Sequence, residues 1–357
     1  MNVNIKWLRE KMKMLDLDGM IISNPNNIRY LTGIIAEGIL LITRKENIYL
    51  TDARYIEEVN STLTIDDEII VHEFKDFTTD EYENFFLFCE NVGFEENYMT
   101  YAQYKECMHR YKINNMQETE GIIEKQRMIK DEEEIAKITR ACEITDNCFE
   151  HLCQFIKIGQ TEKEIALEIE RYFKLNGAED LAFPSIVASG KNSSKPHAIP
   201  TDKKIELGDA ITIDFGCKYE GYCSDMTRTV FAGYIPERIR EVYDLVLHNQ
   251  KETQMAMKDG ANAKVLTKLV KNDFELHGYD LIHALGHGLG LDIHEYPFIS
   301  NQDFYLKEKM VVTNEPGIYI PENFGVRIED TVLISKNGCI NLTKSDKNYI
   351  IVDKIQK

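Results

Sequence analysis

Ile211–Val230 reads I-T-I-D-F-G-C-K-Y-E-G-Y-C-S-D-M-T-R-T-V. Two apolar, β-branched runs flank a polar centre that contains glycine, the pattern of a β-hairpin. With Tyr219 and Glu220 as the turn, Lys218 faces Gly221, and the fifth rung sets Asp214 opposite Asp225. Directly opposed residues share one face of a sheet. Asp214 lies between Ile213 and Phe215, in a strand expected to be buried. Two like charges opposed there are destabilising unless something positive lies between them.

The pattern recurs further on. Asn314–Ile320 reads N-E-P-G-I-Y-I and Gly325–Ile334 reads G-V-R-I-E-D-T-V-L-I. A turn centred on Glu322, in the loop P-E-N, places Glu315 opposite Glu329. Between the hairpins, Leu281–Pro297 reads L-I-H-A-L-G-H-G-L-G-L-D-I-H-E-Y-P and carries His283, His287 and His294 among three glycines. A single acid in a strand is most often a solvated residue or a turn cap. Two opposed acid pairs with a Gly/His segment between them point instead to a cation site. Four carboxylates and one imidazole balance two divalent ions. Such ligation suits Mn²⁺, with Co²⁺, Zn²⁺ or Fe²⁺ as alternatives. It is too poor in thiolate and imidazole for a structural zinc site.

His283 and His287 are four apart, but H-x-x-x-H without an intervening glutamate is not the zincin motif. The G-H-G setting lets His287 approach a metal with little crowding, so His287 is the expected ligand. His283 is then on the substrate side or a satisfied core residue, and His294 lies beyond the glycines. His197, in S-S-K-P-H-A-I-P, is an isolated loop histidine that sequence alone leaves at the surface.

Outward from these segments, the order is helices followed by paired strands, twice over. Helical tracts are expected at 131–155, 161–175, 236–259 and 264–275. T-E-K-E from Thr161 is a capping box, and the acidic start D-E-E-E suits the positive end of a helix dipole. The first third alternates helix and strand, with strands at 18–23, 38–43, 47–51 and 68–74, as in a small α/β domain. The polar stretch 114–121 marks the boundary. The expected domains are therefore 1–121 and 122–357.

Composition limits the function. At 357 residues, 43% apolar and 29% charged, the chain is an ordinary globular protein. A formal charge of −18 argues against nucleic acid or an anionic membrane surface as partner. The first residues, M-N-V-N-I-K-W-L-R-E-K-M, lack a signal-peptide core. No run approaches the roughly 18 apolar residues of a membrane span. The eight cysteines form no C-x-x-C and read as thiols rather than a disulfide framework, so a cytoplasmic location is expected.

Taken together, D-F-G-x(4)-G-Y-x-S-D-M-T-R-T, H-A-L-G-H-G-L-G-L-D-I-H-E, N-E-P-G-I-Y and R-I-E-D resemble the proline-specific branch of the pita-bread metallopeptidases. N-I-R-Y-L-T-G (27–33) and T-D-A-R-Y (51–55) resemble the creatinase-like N-terminal domain of the same proteins. The resemblance implies an α/β creatinase-like domain followed by an α+β pita-bread domain with a pseudo-two-fold antiparallel sheet. It implies Asp214, Asp225, His287, Glu315 and Glu329 as ligands of two ions, with Asp225 and Glu329 bridging. It places His197 and His294 at the scissile bond, His283 on the proline side, Arg327 beside the last ligand, and Tyr319 in the E-P-G-x-Y motif. It also implies a homodimer.

The expected reaction is hydrolysis of the Xaa-Pro bond by a water activated between the ions, with Glu315 carrying the proton. From sequence the reading adopted is an Xaa-Pro aminopeptidase acting on peptides with proline in second position. The alternatives are an Xaa-Pro dipeptidase (prolidase) and a non-catalytic binding protein on the same fold. A metal-free amidinohydrolase of the creatinase type would lack the five ligands. Methionine aminopeptidase usually lacks the N-terminal domain.

Overall fold

A computed structural model describes residues 3–354. The chain divides into two compact units, Met1–Arg127 and Met128–Lys357.

The first unit is built on a six-stranded mixed sheet, in the order 70–73, 47–51, 38–43, 19–22, 92–94, 116–118. The strands Gly19–Ile22, Gly38–Thr43 and Asn47–Thr51 pair antiparallel, and the outer three add in parallel. Val92–Phe94 and Met116–Glu118 are strands that the sequence did not announce. Each is three residues long, too short for a period of two to show. Asn24-Pro25 starts the helix Pro25–Thr32: the Asn24 side chain accepts from the N–H groups of Asn26 and Asn27, with proline at the first helical position.

The polar segment expected as the domain boundary is thus partly edge strand. The helix after it, Ile122–Arg127, belongs to the first unit. Ile122 and Ile123 join its core. The buried Asn27 amide donates 2.7 Å bonds to both Glu95 and Glu124, and its carbonyl accepts from Arg127 at 2.8 Å.

In the second unit, each helix pair covers its own sheet. Ile144, Phe149 and Leu152 of the helix Glu132–Phe155, with Ile165, Ile169 and Phe173 of Glu162–Leu175, pack on Ile211, Ile213, Phe215, Met226 and Val230. Val242 and Val246 of Glu237–Ala256, with Leu266, Val270 and Phe274 of Ala263–Leu276, pack on Val312, Val332 and Ile334. The helix–helix–strand-pair order therefore repeats. One element departs from the expected antiparallel sheet: Ile351–Val352 adds in parallel to the strand Met226–Ala232.

Strand periodicity then sets the site. Ile211, Ile213 and Phe215 face the helices, so Thr212 and Asp214 face the other way. Asp214 pairs with Thr227, not with Asp225. The tight turn is Glu220–Gly221, both with positive φ (46° and 82°), which moves the pairing by two residues from the expected register. A slip of two returns each side chain to the same face, so Asp225 still projects with Asp214. The second hairpin keeps the expected register. Gly317 pairs with Arg327 on one side and Asn314 with Asp330 on the other, which brackets Glu315 opposite Glu329.

Candidate metal centre

His287 lies on the short strand Gly286–Gly288, held between Glu295–Ile299 and Val311–Asn314. Its backbone N–H donates to Thr313 Oγ1 at 3.0 Å. Its Nδ1 faces the Gly288 carbonyl at 3.1 Å, so Nδ1 carries the proton and Nε2 the lone pair. That lone pair points at carboxylates: Nε2 is 3.5 Å from Asp225 Oδ2 and 3.4 Å from Glu315 Oε1. Burial holds the His287 ring below its usual pKa, which favours the neutral form. A neutral nitrogen facing two acids is a set of donors awaiting a cation.

Asp225, His287 and Glu329 are buried and can bring one ligand atom each within 4.8 Å of one another. Asp225 and Glu329 are pushed well above the usual carboxylate range, first by burial and then by their acidic neighbours. Glu315 is raised too, mainly by burial, with His283 and Arg327 opposing. One oxygen of Asp214 and one of Asp225 are buried without a hydrogen-bond partner. Orphaned buried acceptors in a knot of acids are what divalent cations satisfy, so the donor set fits the expected ions.

A ring of supports orients these donors. Thr227 Oγ1 donates to Glu329 Oε2 at 2.6 Å and accepts from Arg327 Nε at 3.0 Å. Thr313 Oγ1 bonds Glu315 Oε1 at 3.2 Å. Thr331 Oγ1 donates to the Asp225 carbonyl at 2.7 Å. These threonines were not singled out from sequence, although they fall at period two on the face of the acids. Arg327 spans the site, reaching Asp214 Oδ2 and the Tyr319 hydroxyl at 2.6 Å each. Burial opposes its charge, but Tyr319, Asp214, Glu315 and Glu329 outweigh that and hold the guanidinium protonated.

Tyr319 continues the chain to His283, 3.1 Å from its Nε2, while His283 Nδ1 faces the Ala284 carbonyl at 2.7 Å. The tyrosine thus accepts from Arg327 and donates to His283. The His294 ring meets the His287 ring edge-on at 4.4 Å. His197, left at the surface by sequence alone, lies in the wall of the same cavity of about 510 Å³. Asp214, Asp225, His283, His287, His294, Glu315, Tyr319, Arg327 and Glu329 line it as well. Phe183, Ile199, Pro200 and Phe298 add apolar wall. The volume is in the range of small-molecule sites.

Two acids on one face of each hairpin, an imidazole facing Asp225 and Glu315, and a partly apolar cavity suit a metallohydrolase-type centre. The comparisons agree: residues 136–336 match the model of metallopeptidase family M24, and residues 5–129 match the creatinase/prolidase N-terminal domain. The chain belongs to metallopeptidase family M24, with the creatinase-like and pita-bread domains expected from sequence. Over 359 residues it is 38% identical to a Pyrococcus horikoshii protein named Xaa-Pro dipeptidase, covering 98% of this chain and 99% of that one. Among solved structures, an Xaa-Pro dipeptidase from Bacillus anthracis superposes with a TM-score of 0.93 at 35% identity, over 98% of this chain and 99% of that one. An X-Pro aminopeptidase from Thermotoga maritima superposes with a TM-score of 0.87 at 34% identity, over 96% of this chain and 100% of that one.

No helix among the described residues is long and apolar enough to cross a membrane. All eight cysteines are free thiols.

Proposed function

We propose that this protein is an Xaa-Pro dipeptidase using two divalent ions, Mn²⁺ in the first place, held by Asp214, Asp225, His287, Glu315 and Glu329. The observation that carries the reading is the set of acids that the two hairpins turn to one side, with His287 Nε2 3.5 Å from Asp225 and 3.4 Å from Glu315, in a chain alignable along nearly its whole length with proteins named Xaa-Pro dipeptidase. Those names favour the dipeptidase over the aminopeptidase reading taken from sequence. The aminopeptidase stays as second reading because of the Thermotoga maritima structure.

Bound there, two divalent ions supply Lewis acidity and lower the pKa of a water. The chain's own groups do the rest. Glu315, whose carboxyl is raised by burial, takes and returns a proton at the cavity wall. His197 and His294 offer ring nitrogens to the substrate carbonyl. The Arg327–Tyr319–His283 chain fixes the His283 ring toward the proline side. The prolyl nitrogen has no N–H, so an apolar wall there leaves no donor unsatisfied.

The test is to incubate the Mn²⁺-loaded protein with Ala-Pro and with an Xaa-Pro-Xaa tripeptide. Cleavage of the dipeptide alone is expected. Cleavage of the tripeptide at a comparable rate would move the assignment to the aminopeptidase, and no cleavage of either would remove both. A cytoplasmic homodimer belongs to the same reading, and light scattering on the purified chain tests the dimer.

A further inference from the structure

Lys130 and Glu295 form an ion pair whose side chains are 1% and 3% exposed, with Nζ 2.6 Å from Oε1. Neither residue lines the cavity. Taking two charges out of water is costly, and a buried pair is often no more stabilising than apolar residues of the same volume. A buried pair beside a catalytic centre therefore calls for a role beyond stability.

Both ends are anchored. The Lys130 N–H donates to the Lys309 carbonyl at 3.0 Å, just before the strand Val311–Asn314. On its other side Asp131 caps the helix Glu132–Phe155 in a capping box with Glu134. Glu295 is the first residue of the strand Glu295–Ile299 and directly follows His294. It pairs with Gly288, one residue beyond His287, where the ladder shifts register.

The loop between these points is wrapped around the Glu295 carboxylate. A Cβ on Gly290 would lie 2.4 Å from Oε1 and 3.1 Å from Oε2, so only glycine lets the loop close over that group. The Gly290 N–H donates to the Asp292 carbonyl at 3.0 Å, and its own carbonyl accepts from the Cys223 N–H at 2.7 Å. His294 ends this loop, exposed to the cavity and edge-on to His287. Its direction is set by the residue that follows it, and that residue is tied to Lys130.

We propose that the buried Lys130–Glu295 pair is a positioning device that holds the loop 289–294 and so aims His294 at the substrate beside the metal centre. The proposal rests on the peptidase reading above for the role of His294. It needs no metal for the positioning itself.

The experiment uses the full chain, with Glu295→Gln, Lys130→Met and Gly290→Ala, each alone and combined with His294→Ala. Ala-Pro hydrolysis, bound-metal content and hydrogen exchange of residues 289–296 in chelator-treated protein are measured. Each single variant should lose roughly 10²-fold in kcat/KM, the cost of a misplaced group, while still binding metal at the wild-type stoichiometry. In the His294→Ala background the same changes should alter the residual rate by less than about twofold, because the two act through one residue. Exchange in 289–296 should be faster in the variants. Loss of metal, an equal loss of rate in the His294→Ala background, or unchanged exchange would overturn the proposal. Where one unpaired buried charge prevents folding, the neutral pair Lys130→Met/Glu295→Gln and Gly290→Ala give the same readout. A wild-type protein inactive on Xaa-Pro substrates would remove the peptidase reading, while the exchange measurement would still decide the positioning.

Discussion

Arg327 holds one oxygen of Asp214 and leaves the other free: Nη2 lies 2.6 Å from Oδ2, and Oδ1 is buried without a hydrogen-bond partner. The same guanidinium reaches Thr227, Tyr319 and the Pro196 carbonyl. The acid is thus oriented by an organic cation on one side, and its remaining lone pairs face the place where an inorganic cation is expected. Lysine cannot reproduce that fork of donors. Arg327→Lys should lower kcat/KM by about 10²-fold and weaken metal binding by about tenfold, read by steady-state kinetics and calorimetric titration. Arg327→Met leaves the buried acid uncompensated and should cost about 3–5 kcal/mol in urea unfolding of chelator-treated protein.

Thr227 does not line the cavity but donates to Glu329 at 2.6 Å. Thr227→Val keeps the shape of the side chain and removes the hydroxyl. Metal affinity should fall by about 10–100-fold, as for other partners of metal ligands, with the melting temperature in excess metal little changed. An unaltered metal titration curve would show that Glu329 needs no such support.

Asp225, Glu329 and Glu315 all have carboxyl pKa values raised in the folded chain, by burial first; acidic neighbours add to the rise at Asp225 and Glu329, while His283 and Arg327 oppose it at Glu315. A raised folded pKa gives stability that is fully present below the unfolded pKa and lost as pH rises through the folded one. Without metal, stability should therefore decline as pH rises above about 4–5, the ordinary carboxylate range. Cations remove the repulsion, so metal should raise the melting temperature more at pH 8 than at pH 5. Metal binding should also release protons, measurable in buffers of different ionisation enthalpy. A metal-induced shift independent of pH would contradict these directions.

Gly216 separates the strands Ala210–Phe215 and Cys217–Tyr219 of the first hairpin. A Cβ there would lie 1.9 Å from the Ser224 carbonyl oxygen, a backbone atom with no room to retreat. Gly216→Ala should destabilise the second unit by about 1–3 kcal/mol through overpacking and should weaken metal binding, because Asp225 follows Ser224 directly. Thermal melts and metal titration of this variant check both.

In the first unit, burial raises the Glu95 carboxyl to about 7, although Asn27 and the Ser23 and Asn24 N–H groups bond it. Its stabilising contribution is complete below pH about 4.5 and is lost as pH rises through about 7, on the order of 3 kcal/mol in all. Glu95→Gln should flatten the pH dependence of urea unfolding between pH 5 and 8.

The hairpins show how far one-dimensional reading reaches. The loop centred on Glu322 gave the right pairing, because P-E-N leaves a single symmetric centre. The loop at Glu220 turns one residue later than its sequence suggests, at Glu220–Gly221, which shifts the pairing by two. Gly221 sits at the second central position, where a tight turn demands positive φ, so the E-G dipeptide carries the turn signal. The error did no harm to the face of Asp225, since side chains alternate with period two. The short strands Val92–Phe94 and Met116–Glu118 had no legible pattern, because their backbones are paired by a sheet assembled from distant segments.

The sequence by itself determined which side chains share a face: the acids of each hairpin, the histidine among its glycines, and the helices that cover the opposite side. These follow from local periodicity and turn chemistry, which act within a dozen residues. Only the tertiary structure decided how the two hairpins meet. Thr227 bonds Glu329 across 102 residues, Arg327 bonds Asp214 across 113, and Lys130 bonds Glu295 across 165. Such contacts have no local signature, because a buried charge is stable only beside its partner, and the packing of the two halves alone brings the partners together.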